Sequence, residues 1–527
     1  MDPDHSAAPQ GAGRGGRPPA VRAAAAGLVV AAVAVGVAEL AAGVLGLRSP
    51  VVAVGDQVVL GVPEAVKALA IGWFGTANKV ALVVGILVVL GAAGALIGVV
   101  AVRSVVVAAA GIVLFGVVGA VAAAGGVDSA AVDAVPSVVG VAAGLWALWW
   151  LVRRLVVEQR STDAAPDATD PDGRRRFLLG AVALTAVAAG AGATGRWLSG
   201  RADAVASRLA VVLPAARRRL APVPVAASVG VDGVSPLLTP NDRFYRIDTA
   251  LVIPQVPAET WDLRIHGLVE HEVTVTYAEL LARDLVEADV TLACVSNEVG
   301  GDLVGTARWL GAPLAGLLEE AGVDPRADQL VGRSEDGWEC GFPVSAVGDG
   351  RTALVAVGMN GEPLPVRHGF PARLVVAGLY GYVSATKWLR EIELTTFEDF
   401  THYWARGGRG WAVEAPVKTQ CRIDTPRRGA EAGPVAIAGV AWAPTTGVRR
   451  VEVQVDDGPW QEAVLADELS GETWRQWVQR WDATPGRHTV RARATDRTGA
   501  TQPEERSAPF PDGATGWHTI TVEVAEG

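Results

Sequence analysis

The sequence predicts a multi-domain chain: an N-terminal α-helical transmembrane bundle, an α+β domain and a C-terminal β-sandwich. Three observations carry this reading. The long apolar runs of the 527 residues are concentrated in the first 200. Between residues 240 and 400, short β-like runs alternate with helical ones. From Gly433 onward, short alternating strands are separated by turn sequences such as Asp456-Asp-Gly and Thr484-Pro-Gly.

The N-terminal elements come first. Residues 1–21 are rich in Pro, Gly and Ala and read as a disordered cytoplasmic tail. Their Gly-rich run at 11–16 follows no strand, so it is not a dinucleotide loop. A helix needs about 20 apolar residues to cross a bilayer. Five stretches qualify: 23–47, 80–102, 105–124, 135–152 and 177–197. They give a four-span bundle over 22–152, a cytoplasmic loop over 153–176, polar at 161–173, and a fifth span over 177–199. Segment 58–73 is interrupted by Pro63, Glu64 and Lys67 and reads as an interfacial or re-entrant piece. As a full span it would invert every later orientation.

Charge sets the orientation. Arg14, Arg17 and Arg22, then Arg103, then Arg153, Arg154 and Arg160 fall on one side of a five-span bundle. Asp128 and Asp133 fall on the other; Arg48, Lys67 and Lys79 are exceptions. The positive-inside rule then makes this a multi-pass protein of the cell membrane, its N-terminus cytoplasmic and everything after residue 200 extracytoplasmic. Almost no charge lies inside the spans, Glu39 being the main exception, so a transporter fits poorly. Gly173-Arg-Arg-Arg-Phe-Leu-Leu-Gly180 opens the fifth span and resembles a twin-arginine export signal. The plainer alternative is a positive-inside anchor. Residues 1–220 hold 19 Lys and Arg against 13 Asp and Glu, a net +6; residues 221–527 hold 27 against 43, a net −16. So acidic a C-terminal portion excludes nucleic acid as a partner.

Residues 200–239 read as a linker: an amphipathic helix over 200–220, then an extended Pro/Val/Ser-rich stretch. In the α+β domain, 240–400, strands are expected at 251–254, 261–267, 273–276, 290–293, 329–331, 372–377 and 391–395. Helices are expected at 277–282 and 313–321. The last domain, 401–527, has strands at 435–441, 448–455, 477–481, 488–494 and 517–524. That spacing suggests an immunoglobulin-like sandwich.

Cys294 is one of three cysteines and follows the strand-like Asp289-Val-Thr-Leu-Ala293. A thiolate is a soft, strongly donating ligand, well disposed there to bind a metal. The alternative is a buried structural cysteine, which is how Cys340 reads; Cys421 is too isolated to assign a disulfide. The segment Thr291-Leu-Ala-Cys-Val-Ser-Asn-Glu-Val-Gly-Gly-Asp302, followed by Thr306-Ala-Arg-Trp309, resembles the sulfite oxidase family of molybdopterin enzymes. Four further segments share the resemblance: Asn241-Asp-Arg-Phe-Tyr-Arg246, Ser334-Glu-Asp-Gly-Trp-Glu-Cys340, His368-Gly-Phe-Pro-Ala-Arg-Leu-Val-Val376 and Gly378-Leu-Tyr-Gly-Tyr-Val-Ser-Ala-Thr-Lys-Trp388. Each alone has a structural alternative, a polar turn or a salt-bridged hairpin. In the C-terminal domain, 451–460 and 491–499 resemble the family's dimerisation domain, which implies a possible homodimer.

The resemblance implies a membrane-anchored bacterial, actinobacterial-type member with a molybdenum–molybdopterin cofactor and oxygen-atom transfer at a centre ligated by Cys294. It implies cofactor contacts from Asn241, Tyr245, Asp336, His368, Arg373 and Lys387, with His368 a donor toward the pterin phosphate. Arg246 is the candidate for substrate orientation and Tyr403 a second. Arg308, beside Trp309, reads as structural. A cofactor inserted inside the cell would make folded export through the twin-arginine route sensible. The family's sulfite oxidases carry Ala-Gly-Asn-Arg-Arg after the cysteine; here Val-Ser-Asn-Glu-Val follows, with Glu298 acidic. Substrate therefore stays open between a sulfite-like anion and an S-oxide. None of the seven histidines lies in a span, so no haem is expected. The electron partner is a separate carrier or a membrane quinone. The rival from another class is a non-enzymatic anchored binding protein on a degenerate scaffold.

Overall fold

The computed structural model describes residues 20–62, 73, 78–124, 131–164, 171–199, 204–250, 252–402, 405, 410–427 and 429–526. Two compact units divide the chain, Met1–Ala202 and Asp203–Gly527.

The first unit is helical: α1 (Ala20–Leu45), α2 (Pro50–Gly61), α3 (Asn78–Ala101), α4 (Val105–Ala124), α5 (Val135–Ala164) and α6 (Pro171–Ser199). Among the described residues five stretches are long and apolar enough to cross a membrane: Ala20–Leu45, Ala81–Ala101, Val105–Ala124, Ala131–Arg154 and Leu178–Leu198. They correspond to the five expected runs. α1 packs against α3, α5 and α6. It does so through small residues: a Cβ at Gly27 would lie 2.0 Å from the Gly94 carbonyl oxygen, and one at Gly43 2.2 Å from that of Gly195. Glu39 is buried, accepting from Ser49 Oγ at 2.5 Å with Arg196 Nε at 3.6 Å. Ser49 also caps α2, accepting from Val52 N–H at 3.3 Å.

Two expectations change here. The loop placed at 153–176 is largely helical, because α5 runs on to Ala164 and α6 begins at Pro171. Its Glu, Gln and Arg residues are polar but good helix formers. Ala20 and Val21, expected in the disordered tail, already belong to α1. Residues 1–19, 63–72, 165–170 and Asp128 lie outside the described residues.

The second unit opens with α7 (Ala204–Ala210). The helix expected over 200–220 stops there, four residues before Pro214, whose missing N–H and ring oppose continuation. Beyond it the chain lies along the next domain, with Arg217 N–H donating to Leu285 O at 2.8 Å and Glu287 N–H to Arg218 O at 2.9 Å. Ala204, Ala227 and Leu237 of the expected linker join the core.

The α+β region contains β1 (Asp262–Gly267), β2 (Val273–Thr276), α8 (Tyr277–Leu281), β3 (Val286–Ala293), β4 (Val304–Pro313), α9 (Leu314–Ala321), β5 (Gln329–Ser334) and β6 (Glu339–Pro343). It continues with α10 (Ser345–Gly348), β7 (Ala353–Met359), β8 (Glu362–Pro363), β9 (Arg373–Val376), α11 (Gly381–Ser384) and β10 (Leu389–Thr395). One sheet has the order β2-β1-β10-β5-β6; the other is β3-β4-β7-β8, with β9 also paired to β7. Trp261, Trp309, Trp388, Phe342 and Phe370 are buried in the core. The strand expected at 251–254 is absent over the described residues 252–254. Pro254 has no ladder donor.

Among the described residues nine strands follow: β11 (Gln420–Thr425), β12 (Gly429–Glu431), β13 (Gly433–Trp442), β14 (Val448–Val455), β15 (Gln461–Glu462), β16 (Val464–Leu465), β17 (Arg475–Ala483), β18 (Gly486–Asp496) and β19 (His518–Ala525). They form two sheets, β11-β13-β17-β16 and β12-β19-β18-β14-β15. Ile437, Val451, Trp477, Val490 and Val522 share the core of this region.

Candidate functional site

The site is built at the end of β3. Cys294 follows that strand and is 8% exposed. Its N–H donates to Leu303 O at 2.9 Å and its carbonyl accepts from Asn297 N–H at 3.0 Å. The chain thus closes a loop over 294–303 before returning as β4. Inside the loop, Asn297 Oδ1 accepts from Leu303 N–H at 2.9 Å, while its buried Nδ2 has no hydrogen-bond partner. Burial pushes the Cys294 thiol up; hydrogen bonds from Ser296 and the Lys387 charge pull it back.

Tyr245 and Arg373 share the electrostatic neighbourhood of Cys294. Burial, then the Cys294 charge, raises the Tyr245 phenol, and Arg373 opposes them. α11 closes in from another side: a Cβ at Gly381 would lie 3.8 Å from Ala293 O and 3.9 Å from Tyr245 Oη.

Arg373 is 3% exposed and lies over the Trp309 ring, 5.1 Å from its centroid. Among the described residues its guanidinium reaches only backbone carbonyls: Leu374 O at 3.3 Å, His368 O at 3.2 Å and Ala385 O at 3.4 Å. Burial lowers it to about 10. A buried charge without an opposite charge is costly. His368 is wholly buried. Its Nε2 donates to Asn241 O at 3.0 Å, and its buried Nδ1 has no partner among the described residues. Burial, then Arg373 and Lys387, lowers His368 to about 3. The neutral ring therefore presents Nδ1 as an acceptor. The sequence suggested a donor toward the cofactor here; in this structure the ring's free nitrogen is an acceptor.

Lys387 donates to Ile247 O at 2.9 Å and approaches Asp248 Oδ2 at 3.3 Å. Burial lowers it to about 8, against the pull of Asp248. The same carboxylate oxygen accepts from Arg246 Nε at 2.7 Å, and the Arg246 side chain is 33% exposed. Asp248 bridges the two cations and was not singled out by sequence; one carboxylate beside a Tyr-Arg motif carries no signal of its own.

Other expected residues are placed differently. The Asn241 amide donates to Met359 O at 3.2 Å and Glu362 Oε1 at 2.7 Å, and accepts from Asn360 Nδ2 at 2.8 Å. Its contribution is a carbonyl oxygen that takes His368 Nε2 and Arg367 Nη2, the latter at 2.8 Å. Asp336 accepts from Trp338 N–H at 3.3 Å within its own turn. That turn adjoins the Lys387 segment, since Glu335 N–H donates to Trp388 O at 2.9 Å. Arg308 makes a two-pronged pair with Asp289, both contacts 2.8 Å, in agreement with a structural role. Tyr403 lies outside the described residues.

Residues 250–404 match the oxidoreductase molybdopterin binding domain. The chain is 31% identical over 290 residues to the mitochondrial sulfite oxidase of Mus musculus, covering 46% of this chain and 52% of that protein. It is 34% identical over 148 residues to the uncharacterized oxidoreductase YuiH of Bacillus subtilis, covering 28% of this chain and 71% of that protein. Among solved structures it is similar to the sulfane dehydrogenase SoxCD from Paracoccus pantotrophus, at 23% identity and a TM-score of 0.48, over 55% of this chain and 82% of that chain. The chain thus spans about half the length of the sulfite oxidase it matches. The matched domain takes in Cys294 together with His368, Arg373 and Lys387, and the chain belongs to the sulfite oxidase family of molybdopterin oxidoreductases, with a molybdenum–molybdopterin cofactor.

Proposed function

We propose that this protein is a membrane-anchored oxidoreductase that transfers an oxygen atom at an extracytoplasmic molybdenum centre ligated by Cys294. The observation that carries the reading is Arg373, a buried cation with no carboxylate partner among the described residues, beside the orphaned Nδ1 of His368. When bound, the cofactor supplies a two-electron centre for oxygen-atom transfer. The chain supplies the rest. Cys294 gives the thiolate, Arg373 and Lys387 meet anionic parts of the cofactor, His368 accepts from the pterin, and Tyr245 lines the site. Arg246 orients the substrate. Asp248 already shares its charge, and Glu298 is exposed on the Cys294 loop. Both features favour a neutral S-oxide over a sulfite-like anion.

Two further parts of the proposal rest on sequence. The positive-inside charges support a cytoplasmic N-terminus and an extracytoplasmic second unit, with electrons exchanged with a separate carrier or a quinone. The C-terminal sheets form an immunoglobulin-like, dimerisation-type domain. A degenerate binding scaffold gives no reason to keep an uncompensated guanidinium buried.

The test is the metal and pterin content of detergent-purified wild type beside Cys294→Ser. About one molybdenum per chain is expected in wild type, as a single cofactor site requires. The variant is expected to stay folded, with oxygen-atom transfer to or from sulfite and methionine sulfoxide lost. Wild type free of molybdenum, from a host that makes the cofactor, would overturn the reading, as would normal turnover by the serine variant.

A further inference from the structure

The loop over 294–303 is held on both sides by the C-terminal sheets. Three residues before the cysteine, Thr291 N–H donates to Glu472 O at 3.0 Å, and Thr291 Oγ1 accepts from Trp474 N–H at 2.7 Å. Seven residues after it, Gly301 O accepts from Arg422 Nη1 at 2.8 Å. Arg422 itself is buried and fixed, with Nε on Asp424 Oδ1 at 2.7 Å and Nη2 on Ser235 Oγ at 2.8 Å. Next to it on β11, Ile423 N–H donates to His518 Nδ1 at 2.8 Å. That bond leaves the ring proton on Nε2, the edge that abuts the loop. The approach at Gly300 is so close that a Cβ there would lie 2.2 Å from both His518 Nε2 and Cδ2. Gly300 also has a φ of +79°, so the loop turns where only glycine sits without strain.

We propose that Arg422 and His518 are positioning residues for Cys294, so that the C-terminal sheets aim the thiolate at the metal. This rests on the reading of Cys294 as the molybdenum ligand. The loop's internal bonds close its base, Cys294 N–H to Leu303 O, and its outer turn, Gly301 N–H to Glu298 O at 2.9 Å; Arg422 and His518 anchor that turn against the rest of the unit. Arg422 supplies a rigid donor fork. His518 supplies a flat wall, and burial lowers it to about 4, so it adds no charge at neutral pH. Groups that orient a metal ligand typically change metal affinity by about 10–100-fold when removed.

The experiment uses the full chain purified with its cofactor. Wild type, Cys294→Ser, His518→Ala, His518→Gln and Arg422→Lys are compared by thiolate-to-metal charge-transfer absorption and by molybdenum retained against a chelator. Circular dichroism identifies the folded variants. The expected result is a shifted band in folded His518→Ala and Arg422→Lys, with about tenfold less metal retained. His518→Gln, which keeps a side chain against Gly300, recovers the band in part. A band present in wild type and unchanged by Cys294→Ser overturns the ligand assignment and this inference together. A band lost in Cys294→Ser but unshifted in folded His518→Ala overturns this inference alone. If Arg422→Lys does not fold, His518→Ala decides.

Discussion

A guanidinium buried among backbone carbonyls is held at a cost, and Arg373 is in that position. The cost predicts opposite signs in two states of the protein. Arg373→Met removes an uncompensated charge from the apoprotein, so its unfolding temperature should rise. The same change removes the charge-assisted bonds an anionic cofactor would receive, each about 1.5–3 kcal/mol. Molybdenum retention should therefore fall about 10–100-fold, by metal content after dialysis. Lys387 gives a pH signature. Burial brings its apo value down from 10.5 to about 8, so above that pH the apoprotein holds a neutral amine. An anion beside it restores the ammonium, and binding then takes up a proton. Cofactor affinity should fall as pH rises through 8, by up to about tenfold per unit. Lys387→Arg should flatten the profile, and a flat wild-type profile would remove Lys387 from the anion site. At this scale the sequence offers candidates where spacing carries chemistry: Cys294, His368, Arg373 and Lys387 stand in motifs, and the fold brings them into one region. Asp248, Arg422 and His518 stand in none. Arg422 and His518 meet the Cys294 loop from more than 100 residues away, a pairing that only the fold creates.

At the scale of elements, the sequence reading succeeds where a pattern has one physical solution. The apolar runs became helices, and Val273–Thr276 is a strand with the expected bounds because a capping box begins α8 directly after it. It fails where polarity alone was taken for a loop. Polar residues such as the Glu, Gln and Arg at 153–164 suit an exposed helix as well as a turn, and α5 runs through them. The helical unit also shows a constraint that hydropathy does not reveal. Helices of equal apolarity gain little from burying one another in a bilayer, so close backbone approach through small residues carries association. Gly43 of α1 meets Gly195 of α6 at such a point. Gly43→Ile should force the two helices apart and destabilise the detergent-solubilised protein by about 1–3 kcal/mol, the usual cost of overpacking. Gly85→Ala on α3, with nothing within 4 Å of the added methyl, should have little effect. Thermal unfolding of both variants checks this, and equal stability would mean that the α1–α6 contact is not close.

At the scale of the whole molecule, the proposed extracytoplasmic placement couples folding to export. The loop of residues 294–303 meets Arg422 and His518 directly, the strand before it is bonded through Thr291 to Glu472 and Trp474, and Arg422 is itself held by Ser235, so the loop's surroundings come from both ends of the second unit. On the proposed reading of the site, a cofactor held there is loaded after the chain has folded. A chain threaded unfolded across the membrane would reach the far side without it, whereas twin-arginine transport moves a loaded, folded unit. On that proposal the run Arg174-Arg175-Arg176 before Phe177 acts as a transport signal; the alternative is a positive-inside anchor. Replacing all three with lysine keeps every charge, so an anchor working through the positive-inside rule alone would still function. A signal that needs arginines would not. The expected outcome is that residues 203–527 of the lysine variant resist protease added outside spheroplasts, while those of wild type are cut, with molybdenum content unchanged in both. Equal cleavage of the two would show that charge alone directs this segment, and would require the cofactor to be loaded outside the cytoplasm or the domain to cross by another route.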